Sequence, residues 1–578
     1  MGVVAAAGGG GVSNELAGLL AGRDTRWYRG FYLKLNIMLV RSSPFTNPEL
    51  RSRQSLVLIT SMTNGYDGSM MNGLQALDTW KSYFNHPERN PTLFGVYNAI
   101  QSIGGIVGLP FAPYLADHLG RRWTIFLGAA LMVLATAIQT ASQNVGMFIF
   151  SRGLIGFGLS WAGLASPLLI TELAFPTHRA PITSLYNATW YLGSIIAAWT
   201  TFGTFRIDNT WSWRIPSVLQ GLPSVLQLFF IFCIPESPRW LISKGKVEPA
   251  RDIITKVHCG GDVNDPLIDY EVEEIREMIR IEQEAARSSS WKELFTTPGN
   301  LRRMRIVLAI AFFSQWSGNG LVSYYLTIVL KGIGITSSGH QTLINGVLQV
   351  YNFFWAIVGA MTVDRLGRRF LFLTSTIGMM FSFIAWTICS AVYRQSATAF
   401  DPVCLMEHNG DSRECVALNA NKSAGNGVIA FIFIFYAFYD IAMSPLLVSY
   451  TVEVLPFRVR AKGLMAMQMC VNASLVFNQY VNPIAMDALD WKYYIVFCVF
   501  LAFTVVYCYL FVIETRGPDG PLSLEEIAAL FDGPHRYGFQ KNPTIHRAED
   551  IEAEDLSGKG DLNQSPLGAV RHLTTDGY

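Results

Sequence analysis

The sequence predicts an all-α integral membrane protein of twelve spanning helices, arranged as two six-helix bundles related by pseudo-symmetry. Three observations lead to this fold. Only 15% of the 578 residues are charged, against about 25% in soluble domains, and the charges gather between long apolar stretches. A charged turn occurs twice, as Asp117–Arg122 and Asp364–Arg369. Basic residues also fall on alternate loops. Together these features indicate a duplicated bundle of membrane helices, which is typical of secondary transporters.

Twelve stretches have the roughly 20 mostly apolar residues that a spanning helix needs. They lie at 54–74, 93–115, 123–142, 146–169, 182–203, 215–234, 305–330, 341–363, 370–392, 426–449, 463–484 and 493–513. The first six make an N-terminal bundle, 54–235, and the last six a C-terminal bundle, 305–513. Residues 1–53, 236–304 and 514–578 are then an N-terminal segment, a linker with helices and a C-terminal tail.

The arginines of both charged turns and the basic residues of the linker lie on one side of the predicted bundle. The positive-inside rule makes this side cytoplasmic, and an even number of spans then puts both termini there too. Within the linker, Glu271–Arg287 has the charge spacing of a helix, with Glu273 and Glu277 on turns adjacent to Arg280. A solvated helical linker joining the two bundles is the simplest interpretation.

On the other side, the loop 393–425 is the long connection. It contains Cys404, Cys415 and the sequon Asn421-Lys422-Ser423. If the loop is extracellular, Asn421 is available for glycosylation and the two cysteines can pair.

Charged residues at the ends of the spans are duplicated as well. Glu172 and Arg179 have the same spacing as Glu453 and Arg460, and each pair flanks a proline. Ion pairs of about 1 kcal/mol between these acids and the turn arginines would latch one state of an alternating-access cycle. The alternative is that the arginines only anchor the cytoplasmic face. The predicted gating residues are Asp117, Arg121, Arg122, Glu172, Arg179, Asp364, Arg368, Arg369, Glu453 and Arg460.

Further motifs follow in a fixed order. They are Arg152–Gly158 (RGLIGFG), Pro235–Leu241 (PESPRWL), Glu453–Arg460 (EVLPFRVR) and Ile513–Gly517 (IETRG). With the two charged turns, they make the chain resemble the sugar porter family of the major facilitator superfamily, over residues 54 to about 530. Gly65–Gly73 and Trp213–Gln220 are most similar to fungal lactose and cellodextrin permeases. The resemblance implies a plasma-membrane carrier that binds a sugar between its bundles.

Ionisable residues inside a span are functional candidates because they are costly to bury. Asp67 and Arg152 stand where proton symporters of the family have an aspartate and an arginine. The resemblance therefore implies that Asp67 takes up a proton when sugar binding disturbs its pair with Arg152. The alternative is a permanent salt bridge that only packs the bundle.

A sugar site needs uncharged donors and acceptors beside aromatic faces. The uncharged candidates are Asn187, Gln315, Asn319, Tyr324, Tyr325, Asn352 and Asn472. Asp440 is a further candidate, since the resemblance places it at an acidic position of the tenth span, where it is expected to contact a sugar hydroxyl. The family pattern supports Asn187, Gln315 and Asn352. The chain departs from this pattern at Gly320, where the family has asparagine, and at Val448, where tryptophan is common. An asparagine within a span also serves to hold helices together.

The leading hypothesis is proton:sugar symport of a disaccharide such as lactose or cellobiose. A facilitative hexose uniporter and a non-transporting sugar sensor are the alternatives. The sequence contains no evident metal-ligand cluster, phosphate-binding loop or nucleophile–base motif, so no metal, cofactor or enzymatic activity is expected. A net charge of +1 without a basic stripe argues against nucleic acid. The expected partners are a sugar, a proton and membrane lipid.

Overall fold

The computed structural model describes most of the chain between Pro48 and Phe531. The described residues are 48–175, 179–259, 261–288, 291–397, 419–517, 520–521, 527 and 530–531. Within them, only the backbone is described at 48–58, 179–185, 187–188, 285–288, 360, 363–365, 457–458, 461, 517 and 520–521. The expected N-terminal segment up to 47, the tail beyond 531, and the loop cysteines Cys404 and Cys415 lie outside the described residues.

The N-terminal half consists of α1 (Pro48–Ala76), α2 (Asp78–Tyr83), α3 (Pro91–Gly108), α4 (Phe111–His118), α5 (Arg121–Thr140), α6 (Val145–Leu173), α7 (Arg179–Thr204) and α8 (Trp211–Phe230). Short 3₁₀ turns lie at Pro87–Arg89 and Ile231–Cys233. Side-chain caps define two of the helix starts. Asn90 accepts a hydrogen bond from the Leu93 amide, and Asn144 accepts one from the Met147 amide, so each satisfies an amide that the first turn leaves unpaired.

The linker contains α9 (Pro238–Ser243), α10 (Val247–His258), α11 (Pro266–Ser288) and α12 (Glu293–Thr296). The expected helix at Glu271–Arg287 is therefore present as part of α11. Arg280 pairs with Glu277 and also with Glu284. Glu273 pairs with Arg276, one turn away, at 3.6 Å.

The C-terminal half consists of α13 (Pro298–Trp316), α14 (Asn319–Gly332), α15 (Ser338–Leu366), α16 (Arg368–Ser396), α17 (Lys422–Val454), α18 (Phe457–Leu489) and α19 (Tyr493–Phe511). A 3₁₀ turn at Asp490–Lys492 joins the last two helices. After α19, β1 (Arg516–Gly517) and β2 (Gly520–Pro521) form a short antiparallel pair.

Eight stretches of the described chain are long and apolar enough to cross a membrane, or nine when the bent pair α3–α4 is counted as one span. One of the eight, Lys462–Phe511, contains both α18 and α19. The long helices α1 and α7 are less apolar, since α1 carries residues such as Asp67 and Asn72. Counting these two helices, and α18 and α19 separately, accounts for the twelve predicted spans.

Two predicted spans are broken. The span at 93–115 consists of α3 and α4, which meet at a 46° bend just before Pro110, a residue whose ring disfavours a continuous helix. The span at 305–330 consists of α13 and α14, separated at Gly318, where φ is +99°. A glycine tolerates this left-handed conformation at little cost. The second helix then begins at Asn319, one of the predicted sugar contacts.

Helices within each half pack closely where small residues face each other. A Cβ at Gly65 would lie 1.8 Å from the Trp190 carbonyl oxygen, and one at Gly193 would lie 1.9 Å from that of Met62. Only glycine at these two positions lets α1 and α7 approach so closely, as is common between membrane helices.

Several hydrogen bonds join the two halves at the ends of the helices opposite to the charged turns. Asn72 Nδ2 donates to the Val322 and Ser323 carbonyls, at 3.0 and 2.6 Å. Ser338 Oγ donates to Asp78 Oδ2 at 3.1 Å. Burial works against ionisation of Asp78, but the ammonium of Lys81, the Ser338 hydroxyl and the charge of Lys331 together outweigh it and lower the pKa of the carboxyl below its usual value. These contacts close the half of the molecule that the positive-inside rule assigns to the outside.

Candidate functional site

Asp67 and Arg152 form a buried ion pair in the N-terminal half. Asp67 Oδ1 and Arg152 Nη1 are 3.5 Å apart, and neither side chain is more than 3% exposed. Gln220 Nε2 donates to the same Asp67 oxygen at 2.5 Å, whereas Oδ2 has no hydrogen-bond partner among the described residues. Arg152 also donates to the Tyr97 carbonyl and to Gln101 Oε1, at 3.0 and 2.8 Å. The donors and acceptors of all these hydrogen bonds belong to the N-terminal half.

Asp440, in the middle of α17, has a partner from the other half. The Tyr191 hydroxyl on α7 donates to Asp440 Oδ1 at 2.6 Å, and Ser444 Oγ donates to the same oxygen at 3.0 Å. Asp440 is 1% exposed, and its Oδ2 has no hydrogen-bond partner among the described residues. Within that part of the chain, Asp440 forms no ion pair with a basic side chain. The carboxyl group is held by hydroxyls alone.

Amide and phenol groups meet beside Asp440. Asn319 Nδ2 donates to the Tyr439 hydroxyl at 3.0 Å, and Tyr439 donates to the Ser314 carbonyl. The Tyr436 hydroxyl donates to the Asn319 carbonyl at 2.9 Å and shares a 2.8 Å hydrogen bond with Ser323. Asn319 Oδ1 is left without a partner among the described residues. An acceptor beside aromatic faces suits a sugar hydroxyl.

Three other predicted sugar contacts lie in polar surroundings. Gln315 is half-buried and donates to Ser314 Oγ at 3.1 Å. Asn352 is 4% exposed, and its Oδ1 has no hydrogen-bond partner in the described chain. Tyr324 is half-buried and interacts electrostatically with Asp67 and Arg152. Tyr324 thus brings the C-terminal half close to the buried ion pair.

The remaining three predicted sugar contacts are Tyr325, Asn472 and Asn187. Tyr325 is fully buried, and its hydroxyl donates to the Gln479 carbonyl, so that hydroxyl is already engaged in helix packing. Asn472 is partly exposed and accepts a 3.4 Å hydrogen bond from the exposed Gln468. Asn187 lies in α7, but its side chain is outside the described set.

The first charged turn contains a buried ion pair. Asp117 is in the last turn of α4, and Arg121 begins α5, as expected. Arg121 donates from Nε and Nη2 to the two carboxylate oxygens of Glu172, at 3.1 and 3.2 Å, with 8% and 5% of the two side chains exposed. Asp117 is 3.7 Å from Arg121 and mostly exposed. Arg122 donates to the Phe232 carbonyl.

The second charged turn repeats this arrangement. Arg368 donates to Glu453 Oε1 from Nε and Nη2, at 3.2 and 2.9 Å, and Arg369 donates to the Tyr509 carbonyl. Arg460 is buried and donates to the Leu455 carbonyl at 2.9 Å. The side chains of Arg179 and Asp364 are outside the described set. The pairs are thus more buried than expected for latches of about 1 kcal/mol.

Two acids that the sequence does not mark as gating residues complete these turns. Glu236 accepts hydrogen bonds from the Arg121 and Arg122 amides, at 3.1 and 3.2 Å. Glu514 accepts from the Arg368 and Arg369 amides, at 2.8 and 3.0 Å. Each carboxyl caps the helix start that follows a charged turn. Burial raises the pKa of Glu236, while the amides of Ser237, Arg122 and Arg121 oppose that rise.

Comparisons with known proteins settle the family. The profile of the family described as sugar (and other) transporter matches residues 55–531, well over half of the chain. The chain belongs to this family. Its members are transporters rather than enzymes, as expected. The high-affinity glucose transporter of Kluyveromyces lactis is 28% identical over 479 residues, covering 82% of this chain and 84% of that protein.

A low-affinity glucose transporter of Saccharomyces cerevisiae is 29% identical over 483 residues, covering 82% of this sugar transporter and 79% of that protein. The inward-open structure of the xylose transporter XylE from E. coli aligns with a TM-score of 0.64 at 21% identity, covering 83% of this chain and 100% of that one. The predicted twelve-helix major facilitator fold is therefore confirmed, and the transporter is a multi-pass membrane protein. The two yeast relatives are glucose transporters, rather than the lactose and cellodextrin permeases to which single motifs pointed.

Sequence reasoning missed Tyr191 and Gln220, although both side chains contact predicted residues. Tyr191 lies four residues after Asn187 in α7, and Gln220 lies in α8, so a search for polar groups one turn from each candidate would have found Tyr191. Gln220 required the packing of α8 against α1. No group of three or more His, Cys, Asp and Glu side chains in the described chain is placed to hold a metal ion.

Proposed function

We propose that this sugar transporter is a proton-coupled symporter that works by alternating access. The buried Asp67–Arg152 pair supports the coupling, because an ionisable pair inside a membrane bundle is costly without a function. One Asp67 oxygen lacks a hydrogen-bond partner in the described chain, so a proton can bind there without displacing Gln220. XylE, a protein of the same fold, is a proton:xylose symporter.

The proposed sugar site lies between the halves. Its central residues are Asn187, Gln315, Asn319, Tyr324, Asn352 and Asp440, with Tyr325 and Asn472 as outer members. Buried oxygens of Asn319, Asn352 and Asp440 lack hydrogen-bond partners in the described chain. Buried polar groups are normally paired, so these three are suited to bind the hydroxyls of a sugar.

The proposed substrate is a hexose, and a disaccharide is the alternative. The glucose-transporting relatives support the hexose. One departure from the family pattern concerns selectivity. At Gly320 a Cβ would lie 2.1 Å from Asn478 Nδ2, so the space that a side chain at 320 would need is taken by the Asn478 amide. That amide donates to the Gln315 carbonyl at 2.8 Å, next to a proposed sugar contact.

The charged turns are proposed as the gate on the cytoplasmic face of the plasma membrane, with both termini in the cytoplasm. This orientation follows from the positive-inside rule. The two bundles then span 54–235 and 305–513, joined by the linker at 236–304. Asn421, at the start of α17, is the proposed glycosylation site on the outer face. Its side chain is exposed and accepts hydrogen bonds from the Ser423 and Ala424 amides, which leaves Nδ2 available.

Uptake of radiolabelled glucose, lactose and cellobiose into cells without their own sugar carriers tests this function, with and without a protonophore. Accumulation above the external concentration that the protonophore abolishes is expected. If glucose only equilibrates across the membrane and the protonophore does not change its uptake, the result would contradict coupling and favour a hexose uniporter. The glucose-transporting relatives also support this second candidate. Absence of uptake for all three sugars would contradict the proposed substrates.

A further inference from the structure

We propose that Asp440 is a second protonatable group of the transport cycle, and that Tyr191 makes its protonation depend on the contact between the two halves. The proposal rests on the proton-coupled function above and adds a site to it. Asp67 and its hydrogen-bond partners all belong to the N-terminal half, so that pair can stay intact while the halves move. Asp440 belongs to the C-terminal half, and its Tyr191 partner belongs to the N-terminal half.

Burial without a facing cation disfavours the charged form of Asp440 in this state, whereas the hydroxyls of Tyr191 and Ser444 donate to the carboxyl and partly oppose that effect. The titratable groups that face it are Tyr191 from α7 and Tyr436 and Tyr439 from its own helix. On the α15 side, Gly359 packs against the Asp440 backbone. None of these groups is a cation. A buried carboxylate without a cation is strongly disfavoured, whereas the charge of Asp67 is balanced by Arg152 at 3.5 Å.

Movement of the halves changes this environment. When α7 and α17 separate at this level, Asp440 loses the Tyr191 hydroxyl and water reaches its carboxyl group, as in an open transporter cavity. Hydration favours the ionised form, and the released proton passes to that water. This release goes to cytoplasmic water when the halves open inward, and the carboxylate takes up its next proton from external water when they open outward. Asp440 thus binds and releases one proton per cycle.

The sugar contacts lie next to this carboxyl group. Tyr439 precedes Asp440 in the sequence and accepts the hydrogen bond from Asn319. Ser444, one turn further along α17, lies 2.9 Å from the Tyr191 hydroxyl and also donates to Asp440. A sugar hydroxyl that reaches Asp440 Oδ2 would therefore meet the protonatable group directly, and binding of the sugar and of the proton would be linked.

Infrared difference spectroscopy of the purified transporter tests the protonation without any transport measurement. At neutral pH, the carbonyl stretch of a protonated carboxyl should be present in the wild type and lost in Asp440→Asn. It should remain in Asp67→Asn, the matched control. Asp440→Glu, which keeps a carboxyl, should shift this band rather than remove it. An unchanged band in both Asp440 variants would overturn the proposal.

A second measurement follows the proton itself. In liposomes with an entrapped pH dye and glucose as the probe, proton entry is measured per labelled glucose taken up; Asp440→Glu should keep the wild-type ratio, and Asp440→Asn should lower it. Proton entry per glucose equal to wild type in Asp440→Asn would overturn the proposal. If wild-type liposomes take up no glucose, the proposed function fails for that sugar, and the infrared result still decides the state of Asp440.

Discussion

Gly120 and Gly367 show how single residues fix the two charged turns. Their φ and ψ angles are 97° and 167°, and 84° and 156°, a region that is almost exclusive to glycine. Each is also pressed against a carboxyl, since a Cβ at Gly120 would lie 2.6 Å from Glu236 Oε2 and one at Gly367 would lie 2.8 Å from Glu514 Oε2. The absence of a side chain lets the acid reach the amides of the following helix.

Gly120→Ala should therefore destabilise the transporter by about 1–3 kcal/mol through backbone strain, and further by displacing Glu236 from the amides of α5. Thermal unfolding of the purified protein, followed by tryptophan fluorescence, measures the change. Gly163→Ala is the control, because a Cβ there meets nothing within 4 Å and alanine favours a helix. Equal melting temperatures for the two variants would contradict the expectation.

Asp67→Asn should abolish accumulation against a gradient and spare part of the sugar exchange. The variant keeps the size of the side chain but removes its charge, so a proton can no longer be carried there. Gln220→Met is the matched control, because it removes the 2.5 Å hydrogen bond to Asp67 and leaves the charge pair in place. Uptake with and without a protonophore, beside counterflow of labelled sugar, measures both activities. Normal accumulation in Asp67→Asn would show that Asp67 does not couple transport to protons.

At the scale of elements, each charged turn ties three parts of its half together. Arg121 joins the start of α5 to Glu172 near the end of α6, and Glu236 joins the same start to the segment after α8. Arg368, Glu453 and Glu514 repeat these connections in the second half. Because both ion pairs lie within their own half, they make each half rigid, and any latch between the halves depends on how these rigid ends meet.

Arg121→Ala should lower stability by about 3–5 kcal/mol, since it leaves the buried Glu172 unpaired, and should slow uptake without changing which sugar is preferred. Arg122→Ala is the control, because Arg122 donates to a backbone carbonyl at the surface and takes no part in the Glu172 pair. Uptake rates per molecule at the cell surface, with competition by other sugars, give the result. A changed sugar preference in Arg121→Ala would contradict a role confined to cycling.

At the scale of the whole molecule, the sequence predicts the spans and the duplicated turns because apolar length and charge are local properties. It also predicts that Asp67 and Arg152 pair, since isolated charges within a membrane are too costly. The Tyr191–Asp440 contact could not be predicted, because it depends on how α7 and α17 align across the two halves. The break at Gly318 was equally hidden, since a glycine in an apolar stretch is compatible with an unbroken helix.

The closed contact between the halves depends on α3 and α18 approaching at Gly95. A Cβ there would lie 2.8 Å from the Tyr480 carbonyl oxygen, so Gly95→Ala should push the halves apart and Gly95→Leu should keep them open on this side. Uptake should then fall while sugar still binds from the outside. Gly105→Ala on the same helix is the control, because its Cβ would make an ordinary 3.7 Å contact with Gly156, within one half.

Labelling of Ser323→Cys with a membrane-impermeant maleimide reports this opening, because the Ser323 carbonyl accepts a hydrogen bond from Asn72 across the closed contact. Labelling should be slow with wild-type Gly95, faster with Gly95→Ala and fastest with Gly95→Leu, and Gly105→Ala should match the first. Asn72 and Gly95 lie on different helices of the same half. A larger side chain at Gly95 therefore separates Asn72 from Ser323 only if that half moves as a unit. Fast labelling in Gly95→Leu would therefore support movement of rigid halves, and unchanged labelling would contradict it.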